Sequence, residues 1–214
     1  MDAVGAGRKV PQQERSRQSE AKLLDAAEDV LSARGAGDFS LAEVASRAGV
    51  TTGTIYSRFK GKSQLIHAVH ERVMDRMDVH SARLFDAHQG QLTGQPEQLV
   101  GDVVSRLATV LESEAAVLRA LMFYAVEDRA LSERGAASHS QLGALFDDAL
   151  QKFGPKVPEA SARKRYWAFT FSYDVLARHL GLGHSSPRTE QDDWDEMLHN
   201  LSAMVAAYLL PGRV

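Results

Sequence analysis

The chain has 214 residues, 44% of them hydrophobic and 25% charged, with no cysteine and a net charge of −3. That is enough sequence for one or two globular domains with a sizeable core. The missing cysteine excludes disulfides, thiolate metal sites and a cysteine nucleophile, and fits a cytoplasmic setting. No apolar run approaches the ~18 residues of a membrane span, and the polar stretch Met1–Gln18 has no apolar segment of a secretory signal.

The charge is unevenly spread. Residues 1–62 hold ten Lys/Arg against eight Asp/Glu, and the remainder holds fifteen against twenty. A mildly basic head (+2) therefore precedes an acidic body (−5), a weak pointer to a polyanionic partner.

Taken in order, the elements read as helices throughout, and the fold class is all-α. Residues 1–18 are expected to be a flexible basic arm. Leu23, Leu24, Ala27, Val30 and Leu31 recur at helical spacing and Gly35 ends that helix. Two short helices follow at about 41–48 and 52–59. A long helix from about 62 to 88 carries Leu65, Ile66, Val69, Val73, Met77 and Leu84 on one side. After a Gly-containing linker over 89–96, helices are expected at about 96–112, 114–131, 138–153, 160–181 and 190–210. The breaks Lys152–Pro158 and Gly181–Thr189 are loops by composition.

The residues that decide the reading begin at Phe39. Ser40 and Glu43 have capping-box spacing, and Phe39 and Val44 have the spacing of a hydrophobic staple. The helix that starts there stops at Gly49, which can take positive φ at no steric cost. Ala45 leaves room for a second helix, and Ile55 anchors that helix from inside. The spacing Ala45-x3-Gly49-x5-Ile55 is that of a helix-turn-helix. Thr51 or Thr52 can cap the second helix.

With Ile55 turned inward, Gly53 and Ser57 point outward, Thr54 and Tyr56 flank them, and Thr52 and Arg58 lie on the shoulders. This small polar face suits a major groove. Thr52, Thr54 and Ser57 can meet base edges, and Tyr56 and Arg58 can reach phosphates, with Lys60 beside them. Gly61-Lys62 opens the next helix, where free amides and the Lys62 ammonium can hold a phosphate.

The run L-A-E-V-A-S-R-A-G-V-T-T-G-T-I-Y-S-R-F-K-G-K-S-Q-L-I, residues 41–66, resembles the TetR-family DNA-binding domain. The resemblance covers about residues 19–70. It implies a three-helix head joined by a long helix to a larger helical body that holds a ligand pocket and a homodimer interface. The implied divisions are an arm (1–18), a helix-turn-helix domain (19–62) and a body (63–214). The implied recognition helix runs from Thr51 to Phe59, with Gly53 on its outer face, Tyr56 as a phosphate contact and Lys62 as the helix-start lysine. The implied function is a transcriptional regulator, a repressor released by a small-molecule effector, that binds a double-stranded operator with inverted-repeat symmetry. The alternative is a regulator of the same fold controlled by a protein partner or without any small-molecule effector. Neither needs a membrane or a cofactor.

Other constellations are less telling. His67 and His70 are three apart but lack further ligands nearby and read as exposed histidines, as does His184. No nucleophile elbow or phosphate-binding loop is present, so no catalytic residue is assigned. In the body, Met122, Phe123, Tyr124, Phe146, Trp167, Phe171 and Tyr173 are the candidate ligand contacts, with His139, Asp174 and Arg119 as further polar candidates. The stripe Trp194, Met197, Leu198, Leu201, Met204, Val205, Tyr208 and Leu209, with Leu176 and Leu180, is the expected dimer face.

Overall fold

The computed structural model describes residues 12–35, 37, 39–86, 94–152, 160–182 and 193–210. Eight helices hold the described residues: α1 (Gln12–Arg34), α2 (Leu41–Arg47), α3 (Thr52–Arg58), α4 (Lys62–Asp86), α5 (Pro96–Ala125), α6 (Arg129–Lys152), α7 (Ala162–His179) and α8 (Trp194–Leu209). Among those residues there is no strand, and no helix is long and apolar enough to cross a membrane. Most of the expected loops over 89–96, 152–158 and 181–189, His184, and the first eleven residues of the expected arm lie outside the described residues.

Helices α1 to α3 form the head. Leu23, Ala27, Val30 and Leu31 of α1 are buried, as are Val44 and Ala45 of α2, which packs on α1, and Ile55 of α3, which packs on α2. The head begins earlier than expected. α1 starts at Gln12, so residues 12–18 extend the helix and are not part of an arm. Gly49 takes φ +66°, while its amide donates to the Ser46 carbonyl at 3.1 Å and the Val50 amide to that of Ala45 at 3.0 Å. This paired closure satisfies two end carbonyls of α2 and turns the chain sharply into α3.

α5 is the axis of the body and packs against α1, α4, α6, α7 and α8. The two helices expected over 96–112 and 114–131 are one, because Glu112–Ala115 contains neither Gly nor Pro and the Ser113 hydroxyl donates back to the Val110 carbonyl at 2.8 Å. The real break falls at 126–128. There Asp128 Oδ1 accepts from the amides of Ala130 (3.0 Å) and Leu131 (3.3 Å), which starts α6 nine residues before its expected position. Where α6 crosses α7, a Cβ on Gly143 would lie 3.0 Å from the Phe169 ring, so a larger residue there would push the ring aside.

Candidate functional site

The outer surface of the head is built by α3. Thr51 is its cap: its hydroxyl oxygen accepts from the Thr54 amide at 3.2 Å and lies 2.9 Å from the Thr54 hydroxyl. Ile55 is fully buried and fixes the helix by its inner face. Thr52, Gly53, Tyr56, Ser57 and Lys60 are then exposed, and Thr54 is half-buried on a shoulder. Tyr56 is 56% exposed, unusual for an aromatic residue on a helix this short. The Ser57 hydroxyl donates to the Thr54 carbonyl at 2.8 Å, which leaves its lone pairs outward. On α2, the Ser40 hydroxyl accepts from the Glu43 amide at 3.2 Å, but the Glu43 carboxylate pairs with Arg34 at 2.7 Å and does not return to Ser40. Only half of the expected capping box forms.

Two residues expected on the DNA side face elsewhere. The Arg58 guanidinium turns to α1, donating to Glu20 at 3.1 Å and to both the carbonyl and hydroxyl of Ser16 at 2.7 Å. These charge-assisted bonds tie the recognition helix to α1 rather than reaching outward. The Lys62 ammonium lies over the Phe39 ring, 4.3 Å from its centre, and 5.7 Å from that of Tyr124. It thus joins head to body across two aromatic faces.

The body contains a cavity of about 360 Å3 between α4, α5, α6 and α7. Of the seven candidate ligand contacts, Met122 and Tyr173 line it. Phe146 is 0% exposed and belongs to the core. Tyr124 faces Lys62. Phe123, Trp167 and Phe171 are on the outer surface, the last two stacked at 5.4 Å. His139 lines the cavity with its ring edge-on to Tyr173 at 4.5 Å. Arg119 donates to the Leu180 carbonyl at 2.9 Å, and Asp174 is exposed and is not in the lining.

Sequence reasoning missed the α4 and α6 walls: His70, Met74, Met77, Asp78 and Ser138. The signal was available, since His70 falls four residues after Ile66 and seven before Met77 on the apolar stripe. It is buried, not exposed as expected. Burial, followed by the nearby Arg134 charge, lowers its affinity for a proton. His67 faces a different neighbour, with Nε2 2.6 Å from Asp128 Oδ2. Against some desolvation, this contact and the two backbone amides hold the Asp128 carboxyl below its ordinary range.

Ion pairs fasten α4 on both sides. Arg76 pairs with Glu28 of α1 (2.9 Å) and Glu114 of α5 (2.6 Å), and Arg72 pairs with Asp25 and Glu28 of α1. From α6, Arg134 reaches Glu71 (3.1 Å), Asp75 (2.9 Å) and Asp78 (3.0 Å), and its remaining Nη1 donates to Ser138 at 2.5 Å.

The expected dimer stripe divides in two. Leu201, Val205 and Leu209 are buried within the chain against its own core. Met204 (70% exposed) and Tyr208 face outward beside Phe171 and Val175 of α7, along a groove of about 610 Å3. Phe171 and Tyr208 meet edge-on with centroids 6.4 Å apart.

An exposed short second helix on a tightly turned head, joined to a helical body with a cavity, defines a helix-turn-helix protein. The profile of the family described as "Bacterial regulatory proteins, tetR family" matches residues 23–69. The chain is 30% identical over 107 residues to the HTH-type transcriptional regulator AcrR of Shigella flexneri, covering 49% of this chain and 48% of that protein. It is 36% identical over 70 residues to the HTH-type transcriptional regulator TtgR of Pseudomonas putida, a third of each chain (33%). The match thus spans about half the length of the first relative and less of the second. A crystal structure of a TetR-family regulator from Mesorhizobium loti MAFF303099 superposes with a TM-score of 0.63 at 19% identity, over 91% of this chain and 96% of that one. FadR of Bacillus subtilis, in complex with stearoyl-CoA, gives 0.56 at 16% identity, over 90% and 98%. Residues 23–69 thus carry the tetR-family domain, and the body shares the fold of these solved structures.

Proposed function

We propose that the chain is a DNA-binding transcriptional regulator that acts as a homodimer on an inverted-repeat operator, a repressor released when a small molecule fills the body cavity. One observation carries this reading. α4 starts four residues after the end of the recognition helix, and His70, Met74, Met77 and Asp78 on the same helix wall the cavity. A molecule that moves that wall moves the head. The proposed DNA face is Thr52, Gly53, Thr54, Tyr56, Ser57 and Lys60, with Thr51 holding its geometry. Arg58 and Lys62 support it from inside.

The exposed apolar face of α7 and α8 supports the dimer. Two heads related by a twofold axis would read half-sites one helical turn, ~34 Å, or a multiple apart. A cavity of this size favours a small-molecule effector over control by a protein partner alone. That the relatives AcrR and TtgR are HTH-type transcriptional regulators supports the DNA-binding half of this reading, and FadR in complex with stearoyl-CoA shows that a protein of this fold can hold a ligand.

The test is reciprocal. Operator sites are selected from a random DNA pool with the purified full chain, and candidate compounds are titrated with and without operator. A true effector weakens operator binding by the factor by which operator weakens effector binding. A compound that fills the cavity and leaves operator affinity unchanged is not the effector. If no compound that fills the cavity shows coupling, release by a ligand is wrong.

A further inference from the structure

The chemistry of the cavity wall narrows what it can hold. Most of the lining is apolar, with Met74, Met77, Leu118, Leu121, Met122 and Leu142 around the space. Methionine-rich walls adapt to flat or irregular shapes. Asp78 is the charged residue in the lining, and Arg134 takes its carboxylate at 3.0 Å. Arg134 already uses four of its five N–H donors within the protein, three of them on carboxylates. Its Nε donates to Glu71, its Nη1 to Ser138, and its Nη2 to Asp75 and Asp78. An anionic ligand would find, among the described residues of the lining, no cation and one carboxylate, and Arg134 behind it is already paired. A cationic ligand would have to displace Arg134 from Asp78. Either charge would leave water without a ready counter-charge.

Of the polar side chains buried in the wall, His70, Ser81 and Ser138, His70 is the one with no partner among the described residues. His70 is 4% exposed and makes no hydrogen bond among the described residues. Its Nε2 faces Gly135 of α6, where even an added Cβ would lie 4.0 Å away. Gly135 also lines the cavity and so leaves room beside the ring. Burial keeps this imidazole neutral, with one nitrogen to donate and one to accept. Across the cavity the Tyr173 hydroxyl likewise has no hydrogen bond among the described residues, and burial keeps it protonated.

We infer that the cavity takes an uncharged, mainly apolar ligand whose single hydroxyl or amide group is hydrogen-bonded by His70. The inference rests on the effector reading above and names the class of effector. Apolar walls hold the body of the molecule, and the unpartnered imidazole selects its polar end. A ligand without that group leaves His70 buried and unpaired, and sites of this kind discriminate against such analogues.

The experiment uses the full chain without DNA and four matched probes at pH 7.5: 2-naphthol, naphthalene, 2-naphthoate and 2-naphthylmethylammonium, titrated by calorimetry. 2-Naphthol is expected to bind at least about tenfold more tightly than each of the others. His70→Phe should bring 2-naphthol down to the affinity of naphthalene and leave naphthalene unchanged. Gly135→Val, which fills the space beside the ring and leaves the imidazole itself in place, should weaken both uncharged probes. Equal or tighter binding of the carboxylate or the ammonium overturns the inference. So does a 2-naphthol affinity unmoved by both substitutions, or no binding of either uncharged probe. Operator binding is measured separately by gel shift. Selective 2-naphthol binding with operator affinity unmoved supports the ligand class and counts against release by ligand, so the two readings fail separately.

Discussion

The Lys62 ammonium lies 4.3 Å from the centre of the Phe39 ring, so the first residue of α4 is anchored on the head from which it departs. Tyr124, at 5.7 Å, brings the end of α5 to the same charge. Such contacts contribute about 0.5–1 kcal/mol when partly solvated. Lys62→Met keeps the stem and removes the charge. It should lower unfolding free energy by about that amount in urea titration and leave the salt dependence of operator binding unchanged. A salt slope flatter by about one unit per subunit would instead place the ammonium on a DNA phosphate.

Arg58 and Lys60 are two residues apart and should behave oppositely. Arg58→Ala removes the bonds to Glu20 and Ser16 that tie α3 to α1. The pair is partly solvated, so the loss is about 0.5–1.5 kcal/mol of stability. Lys60→Ala should leave stability unchanged and flatten the salt slope by about 0.9 per subunit. Thr52 and Ser57 substitutions should change which bases are selected, read by repeating the selection from a random pool.

Stability should depend on pH through His70. In the unfolded chain an imidazole takes up a proton near its ordinary value of about 6.5. The folded site resists protonation, because burial acts first and Arg134 and His67 add to it, while Glu71 and Asp128 oppose. The unfolded state therefore binds more protons below about pH 6.5, and stability falls as pH falls through that window. Above it the contribution is complete. His139, also lowered by burial, adds in the same direction. Urea midpoints between pH 7.5 and 5 should decline for the native chain and decline less for His70→Gln. Parallel curves would show that His70 accepts its proton without cost.

Met204 and Leu201 lie on one stripe of α8 and separate the dimer from the monomer fold. Met204→Glu should yield a folded monomer in sedimentation at micromolar concentration. Its operator affinity should fall, since the second half-site no longer benefits from linkage to the first. Leu201→Lys should unfold the chain, because Leu201 packs inside its own protomer. A Met204→Glu dimer would remove α8 from the interface.

The head was legible because its signals are local. Gly49, Ile55 and the Thr51 cap act within a few residues of themselves, and each sits where the spacing requires. The body was legible as helices but not as walls. Phe146, Trp167 and Phe171 are chemically alike, yet one is core and two are surface, a difference set by which neighbouring helix covers each. The α5–α6 boundary was missed because Asp128 works as a helix-starting acceptor without any Gly or Pro nearby. Arg58 and Lys62 were placed by direction along their own helices, while partners 42 residues upstream and 62 downstream, Ser16 and Tyr124, decided where they point. Long-range partners of flexible cations leave no periodic trace.

Glu71, Asp75 and Asp78 stand on successive turns of α4, and one guanidinium from α6 holds all three. The span is about 10 Å along the helix axis. A pivot of α4 that opens its head end parts Glu71 first and Asp78 last. The fastening thus behaves like a zip rather than a bolt, yielding in stages while still engaged. Small excursions of the head are met by a restoring pull from the acids that remain paired, and Asp78, the member in the cavity wall, is the last of the three to part.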